Sequence, residues 1–162
     1  MVLATDASLL GWGATLTDPL VAVPPPPPDM ARGFWSTHER KLHINVLELE
    51  ALIKAIQSFK TRLQGRIVQA LIDSQVVFYL LRSFKSTRTE LLKRLQTLLH
   101  ILDLQRIVLQ PRWISTTANK LPNYLSRLQD KEDWQLNPAL YAPIQKLFGP
   151  HDIDRFASAL NG

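Results

Sequence analysis

The chain contains no cysteine, which excludes disulfides, thiol catalysis and cysteine-based zinc sites. Any metal it binds must be held by carboxylates or by its four histidines. It also lacks an uninterrupted apolar run of the roughly 18–20 residues that a membrane helix needs. The N-terminus, "MVLATDAS", has neither the basic start nor the long apolar stretch of a signal peptide. The expectation is a soluble intracellular protein, in the cytoplasm or the nucleus, with no membrane partner. Acids are scarce in one region. From Lys54 to Arg127, thirteen basic residues face three acids, a local excess of +10 in a chain whose net charge is +5. Such a stretch is either the footprint of a polyanion or a set of solvated helix faces.

With 162 residues, 46% of them hydrophobic, the chain can close one packed core and is short for two. "VLATDAS" followed by "GWGATLTD" predicts a β-hairpin, and "GFWST" a third strand. Between them, residues 19–32 read as a Pro-rich loop insertion, because five consecutive prolines cannot donate to a sheet ladder. In "HINVLELEALIKAIQSF" the period becomes helical, with Leu49, Leu52, Ile53, Ile56 and Phe59 on one stripe and Asn45 with Glu48 as its expected N-terminal cap. "RIVQALID" predicts a buried strand. "SQVVFYLLRSF" and "STRTELLKRLQTLLHILD" predict helices, "RIVLQPRWI" a strand stopped by Pro111, and "LPNYLSRLQ" a last helix. A meander followed by alternation implies an α/β domain over residues 1–129, with a mixed sheet and helices on its faces. Residues 130–162 are expected to form a tail that packs on this domain or links it to a downstream region.

Three acids fall at element edges. Asp6 ends the first strand, Glu48 lies in the first turn of the first helix, and Asp73 ends the fourth strand. Each has a local explanation: a turn residue, the partner in a capping box, and a helix N-cap, respectively. If the first and fourth strands are neighbours, all three instead converge. Convergent carboxylates suit phosphodiester hydrolysis, in which two Mg²⁺ ions about 4 Å apart serve the attacking water and the leaving oxygen and require several oxygen ligands.

"TDAS" with "GWGA" after it, "HINVLELEA", "LIDSQ" and "NKLPNYLSR", in that order, resemble the ribonuclease H domain of retroelement reverse transcriptases, particularly of DIRS-type retrotransposons. The resemblance covers roughly residues 3–127, and "EDWQLNP" and "DIDRFASALN" are similar to sequence that follows the domain in such elements. It implies a ribonuclease H-like fold with a five-stranded mixed sheet flanked by helices. It also implies Mg²⁺-dependent, or Mn²⁺-dependent, cleavage of the RNA strand of an RNA/DNA hybrid, and a reverse transcriptase domain in the parent polyprotein. A start at Met1 directly on the first strand suggests an excised or truncated piece.

On the same resemblance, Asp6, Glu48 and Asp73 are the catalytic, metal-binding acids, with Glu50 off the register of Glu48. Asn123 stands where the family carries a fourth acid. An amide can offer a carbonyl oxygen to a metal but brings no charge and cannot act as a base. The loop "QPRWISTTANK" also lacks the His of cellular members. Activity is therefore expected to be low or absent unless a neighbour substitutes. The alternative is an inactive module of the same fold that binds nucleic acid or acts as a scaffold.

Hybrid recognition would rest on phosphates and 2′-hydroxyls. The candidates are Ser8, Ser74 and Gln75 with the backbone amides of Ala7 and Ser8, and a ridge of Lys85, Arg88, Lys93 and Arg94 for the second strand. The ridge residues are equally explained as solvation of an amphipathic helix. Trp12 and Trp35 either stack on a sugar or belong to the core.

Overall fold

The computed structural model describes residues 1–20 and 26–128. Strand β1 (Val2–Ala7) turns back into β2 (Gly11–Thr17) as the sequence predicts. Ser8 closes the turn: its hydroxyl accepts from the N–H groups of Leu10 at 3.0 Å and Gly11 at 3.2 Å. Strand β3 (Asp29–Phe34) follows, then a 3₁₀ turn at Glu39–Lys41, helix α1 (Ile44–Ser58) and the short helix α2 (Lys60–Leu63). Next come β4 (Ile67–Ile72), α3 (Gln75–Ser83), α4 (Thr89–Leu104), β5 (Val108–Trp113) and α5 (Lys120–Arg127). The sheet order is β3-β2-β1-β4-β5. The first three strands are antiparallel, and β4 and β5 extend the sheet in parallel from β1. The chain divides after Leu128, and the second unit, Gln129–Gly162, lies outside the described residues together with the expected tail.

Three local expectations are corrected. The third strand starts at Asp29, inside the stretch assigned to the Pro-rich insertion, because Asp29–Arg32 pair with Leu16–Gly13 of β2. Pro111 does not stop β5. It pairs opposite Ala70, on a strand that among the described residues lies at the edge of the sheet, with its backbone nitrogen directed away from β4, so a missing N–H costs no ladder bond there. The cap of α1 is His43, whose Nδ1 accepts from the Asn45 N–H at 3.2 Å, so Glu48 is not needed as a capping partner.

The main core lies between the sheet and helices α1, α3 and α4. Leu47, Leu49, Leu52 and Ile56 of α1 are fully buried with Leu3, Leu16, Val68 and Leu98. Removing a side chain of this size from water contributes about 1.5–3 kcal/mol each. Trp12 and Trp35 belong to this core, at 7% and 2% exposure, and the Trp35 indole donates to the Ser8 carbonyl at 2.8 Å, so neither presents a face to a sugar.

Helix α5 covers the opposite face. Side chains alternate along a strand, and Ala14 and Leu16 join the main core whereas Gly13 abuts α5. A Cβ on Gly13 would stand 2.5 Å from Leu125 Cβ, 2.5 Å from the Pro122 carbonyl oxygen and 2.7 Å from the Ser126 nitrogen. Only glycine allows the helix to lie this close.

Candidate active site

The parallel pairing of β1 with β4 sets Val2 against Gln69, Leu3 against Ala70 and Ala4 against Leu71. Carried two residues further, that register brings Asp6 level with Asp73. Helix α1 starts beside this edge of the sheet and supplies Glu48. One carboxylate oxygen from each of Asp6, Glu48 and Asp73 lies within 4.8 Å of the others. The adjacency of the first and fourth strands thus brings together the three acids picked out in the sequence.

They open onto a cavity of about 500 Å³ whose wall includes Ser8, Asn45, Ser74, Gln75, Thr116 and Arg127. Burial pushes the Asp6 carboxyl above its ordinary value. The charge of Asp73 adds to this, while the Ser126 hydroxyl and Arg127 oppose it. Glu48 is pushed up to about 9, first by burial and then by the charges of Asp6 and Asp73, against the Ala7 backbone N–H and Arg127. Like charges held together in partial burial favour either a bound proton or a cation. All the donors are hard carboxylate oxygens, which fits a divalent ion of the Mg²⁺ or Mn²⁺ type.

Helix α5 fixes Asp6 from the far side of the sheet. The buried Ser126 hydroxyl donates to Asp6 Oδ2, and the Ser8 hydroxyl donates to the Ser126 carbonyl at 2.6 Å. The buried Asn119 amide donates to the Thr5 carbonyl at 2.8 Å. Asp6 and Gly13 are register partners, so the missing side chain of Gly13 makes room for the helix that holds Asp6. Neither Ser126 nor Gly13 was singled out from the sequence. The signal was there in the "LSR" phrase, whose Ser stands three residues after Asn123, and in the Gly aligned against Asp6 across a hairpin.

The other expected site residues are distributed unevenly. Asn123 is half-buried in α5 and its carbonyl lies 3.0 Å from the Ser126 hydroxyl, whose proton is directed to Asp6; Asn123 is not among the residues lining the cavity, whereas Arg127, one turn later, is. Gln75 lines the cavity and is exposed. The Ser74 hydroxyl caps α3 by accepting from the Val77 N–H at 3.4 Å. The two backbone amides expected to meet a 2′-hydroxyl are already engaged, that of Ala7 with Glu48 and that of Ser8 with the Gly11 carbonyl at 2.9 Å. In the expected basic ridge, Lys85 and Arg88 are exposed, but Lys93 lies 3.4 Å from Glu90. Arg94 is held between Glu50 at 3.0 Å and Glu90 at 2.8 Å, so it ties α4 to α1 and is not a free cation. None of these four residues lines the cavity.

Comparison with solved structures supports the architecture. The chain superposes on LC11-RNase H1, a protein isolated from compost and crystallised with an RNA/DNA hybrid, with a TM-score of 0.60 at 20% identity, covering 76% of this chain and 91% of that one. RNase H1 from the archaeon Halobacterium salinarum gives 0.56 at 15% identity, covering 76% and 90%. The foamy viral protease-reverse transcriptase, solved with double-stranded DNA, gives 0.50 at 18% identity over 68% of this chain and 23% of that longer one. No curated protein sequence matches the chain. The sequence model of the RNase H-like domain found in reverse transcriptase matches residues 1–103, which carry all three acids. The chain belongs to the family of RNase H-like domains found in reverse transcriptases.

Proposed function

We propose that this domain is a ribonuclease H that hydrolyses the RNA strand of an RNA/DNA hybrid, as part of a retroelement polyprotein that also carries a reverse transcriptase domain. One observation carries the proposal: the carboxylates of Asp6, Glu48 and Asp73 meet within 4.8 Å at the open end of the sheet. Asp6, Glu48 and Asp73 would hold Mg²⁺, or Mn²⁺, which when bound supplies charge neutralisation at the phosphate and a more acidic water. The chain's own residues set the geometry. Ser126 fixes the orientation of Asp6, the Ala7 N–H that of Glu48, and the Ser74 cap the turn that carries Asp73. Gln75, exposed at the start of α3 and lining the cavity, would contact a 2′-hydroxyl, the group that separates RNA from DNA.

Asn123 favours a second reading. It brings no charge to the fourth corner of the family's metal site, which points to impaired cleavage or to a module that binds hybrid without cutting it. Incubation with an end-labelled hybrid in Mg²⁺ or Mn²⁺, with single-stranded RNA and double-stranded DNA as controls, tests both readings. The nuclease reading expects hybrid-specific cleavage that Asn123→Asp raises at least tenfold and Asp73→Asn abolishes. No cleavage by either the unmodified protein or Asn123→Asp would overturn it and leave the binding module.

A further inference from the structure

The cavity wall contains one positive side chain among the described residues, Arg127, facing the three acids. Its charge acts on both Asp6 and Glu48, yet the guanidinium forms no ion pair and no hydrogen bond among the described residues. A cation that stands near two carboxylates without closing on either retains its donors for something else. The backbone on both sides of it is tied down. The Ser126 carbonyl accepts from the Ser8 hydroxyl at 2.6 Å, and the Leu128 carbonyl accepts from the Arg32 guanidinium at 3.3 Å. Gly13 lets the helix rest directly on β2, and Asn119 holds its start to β1. The result is a rigid base with an exposed, uncommitted head at the mouth of the cavity.

We propose that Arg127 is the substrate-anchoring residue of this site, gripping a backbone phosphate of the RNA strand beside the three carboxylates. The inference rests on the nuclease or hybrid-binding reading given above and names a residue that performs part of it. A nucleic acid approaching Asp6, Glu48 and Asp73 meets carboxylates of its own sign, and a fixed guanidinium beside them offsets the repulsion on the phosphate. The planar fork of arginine can donate two parallel hydrogen bonds to one phosphate, which an ammonium cannot. Lys85, Arg88, Lys93 and Arg94 cannot take this role, since none of them lines the cavity. Arg127 is also one helical turn beyond Asn123, on the same face of α5. The helix therefore presents a phosphate-binding group close to where the family's pattern has its fourth acid.

The test measures affinity of the protein for a fluorescein-labelled RNA/DNA hybrid by anisotropy across a salt series, in EDTA and in Ca²⁺, with strand integrity checked on gels. Removing one phosphate contact should make the log–log salt slope shallower by about 0.7–0.9. Arg127→Gln is expected to show that change, to weaken affinity about tenfold at 0.1 M salt and to raise KM more than it lowers kcat. Arg127→Lys should recover the salt slope but only part of the affinity. The rise in melting temperature on adding Mg²⁺ should persist in both variants, since Asp6, Glu48 and Asp73 are all retained. The inference is overturned if Arg127→Gln leaves affinity and slope unchanged. It is equally overturned if that variant changes only the melting temperature in EDTA, which would make Arg127 a mere counter-charge to the acids. Hybrid binding in the expected way with no cleavage by either the unmodified protein or Asn123→Asp would defeat the nuclease reading alone, and the effect of Arg127→Gln on binding would still support the anchoring role. Unmodified protein with no affinity for hybrid would overturn the inference as well.

Discussion

Substituting Gly13 by Ala should unseat α5 and, with it, the orientation of Asp6. The added methyl would lie 2.5 Å from Leu125 Cβ, 2.5 Å from the Pro122 oxygen and 2.7 Å from the Ser126 nitrogen. Comfortable non-bonded contacts between carbon atoms fall at about 3.5–4.0 Å, so the helix must retreat by about 1 Å. Two of the three clashing atoms are helix backbone, so no change of rotamer relieves them. Overpacking of this kind costs about 1–3 kcal/mol. The retreat also stretches the Ser126 to Asp6 hydrogen bond; leaving a buried carboxylate without its donor costs about 1–3 kcal/mol more. Against this, Ala restricts the unfolded chain and returns about 0.4–1 kcal/mol. The net expectation is a loss of about 1–5 kcal/mol, centred on about 3 kcal/mol. Urea unfolding followed by tryptophan fluorescence reads it directly: with a slope of about 1–3 kcal/mol/M, the midpoint should fall by about 1 M or more. Ser126→Ala, which keeps the packing and removes only the donor, should lose about half as much. A Gly13→Ala midpoint within 0.3 M of the unmodified protein (roughly the scatter of such extrapolations) would refute the close-contact argument.

Three further outcomes follow from the same geometry. Glu48 has its pKa raised from 4.5 to about 9, so the metal-free fold binds more protons than the unfolded chain across that window, and its stability should fall as the pH rises from 4.5 towards 9. Because a divalent ion must displace that proton, the Mg²⁺-induced rise in melting temperature should be larger at pH 8 than at pH 6; a pH-independent rise would contradict it. Asp73→Asn removes one of the like charges acting on Asp6 and Glu48, so it should raise the melting temperature in EDTA by a few degrees while nearly abolishing the response to Mg²⁺ in the same scan. Arg94→Ala should cost about 1 kcal/mol in urea unfolding by freeing α4 from Glu50, and should leave the salt slope of hybrid binding unchanged, since that charge is already engaged.

The sheet and its helices were legible because their patterns are strong. The stripe of α1, the compact apolar run of β4 and the Leu repeat of α4 each admit one arrangement. Asp6, Glu48 and Asp73 could be found because each sits at an element edge, and a sheet converts edge positions into neighbours. What escaped the sequence depended on partners far along the chain. Pro111 reads as a strand stop until β5 is known to be an edge strand, and Arg94 reads as a free cation until α4 is laid against Glu50. Trp35 looks the same in sequence whether it stacks on a ligand or donates to the Ser8 carbonyl. Gly13 and Ser126 carry no periodic signal, because their importance comes from a contact between a hairpin and a helix more than a hundred residues later.

That contact has a consequence for how the protein is made. The hydrogen bonds from Asn119 to Thr5 and from Ser126 to Asp6 span 114 and 120 residues, so the first strand is locked by the last helix of its unit. On the ribosome, Asp6, Glu48 and Asp73 emerge well before Ser126; the last of them, Asp73, precedes it by about 50 residues, or about 3–10 s of synthesis. During that interval the acids exist without the element that orients Asp6. The site of a nascent chain is thus incomplete by construction, and Asp6 gains its orienting partner only when the end of the unit folds back onto its beginning.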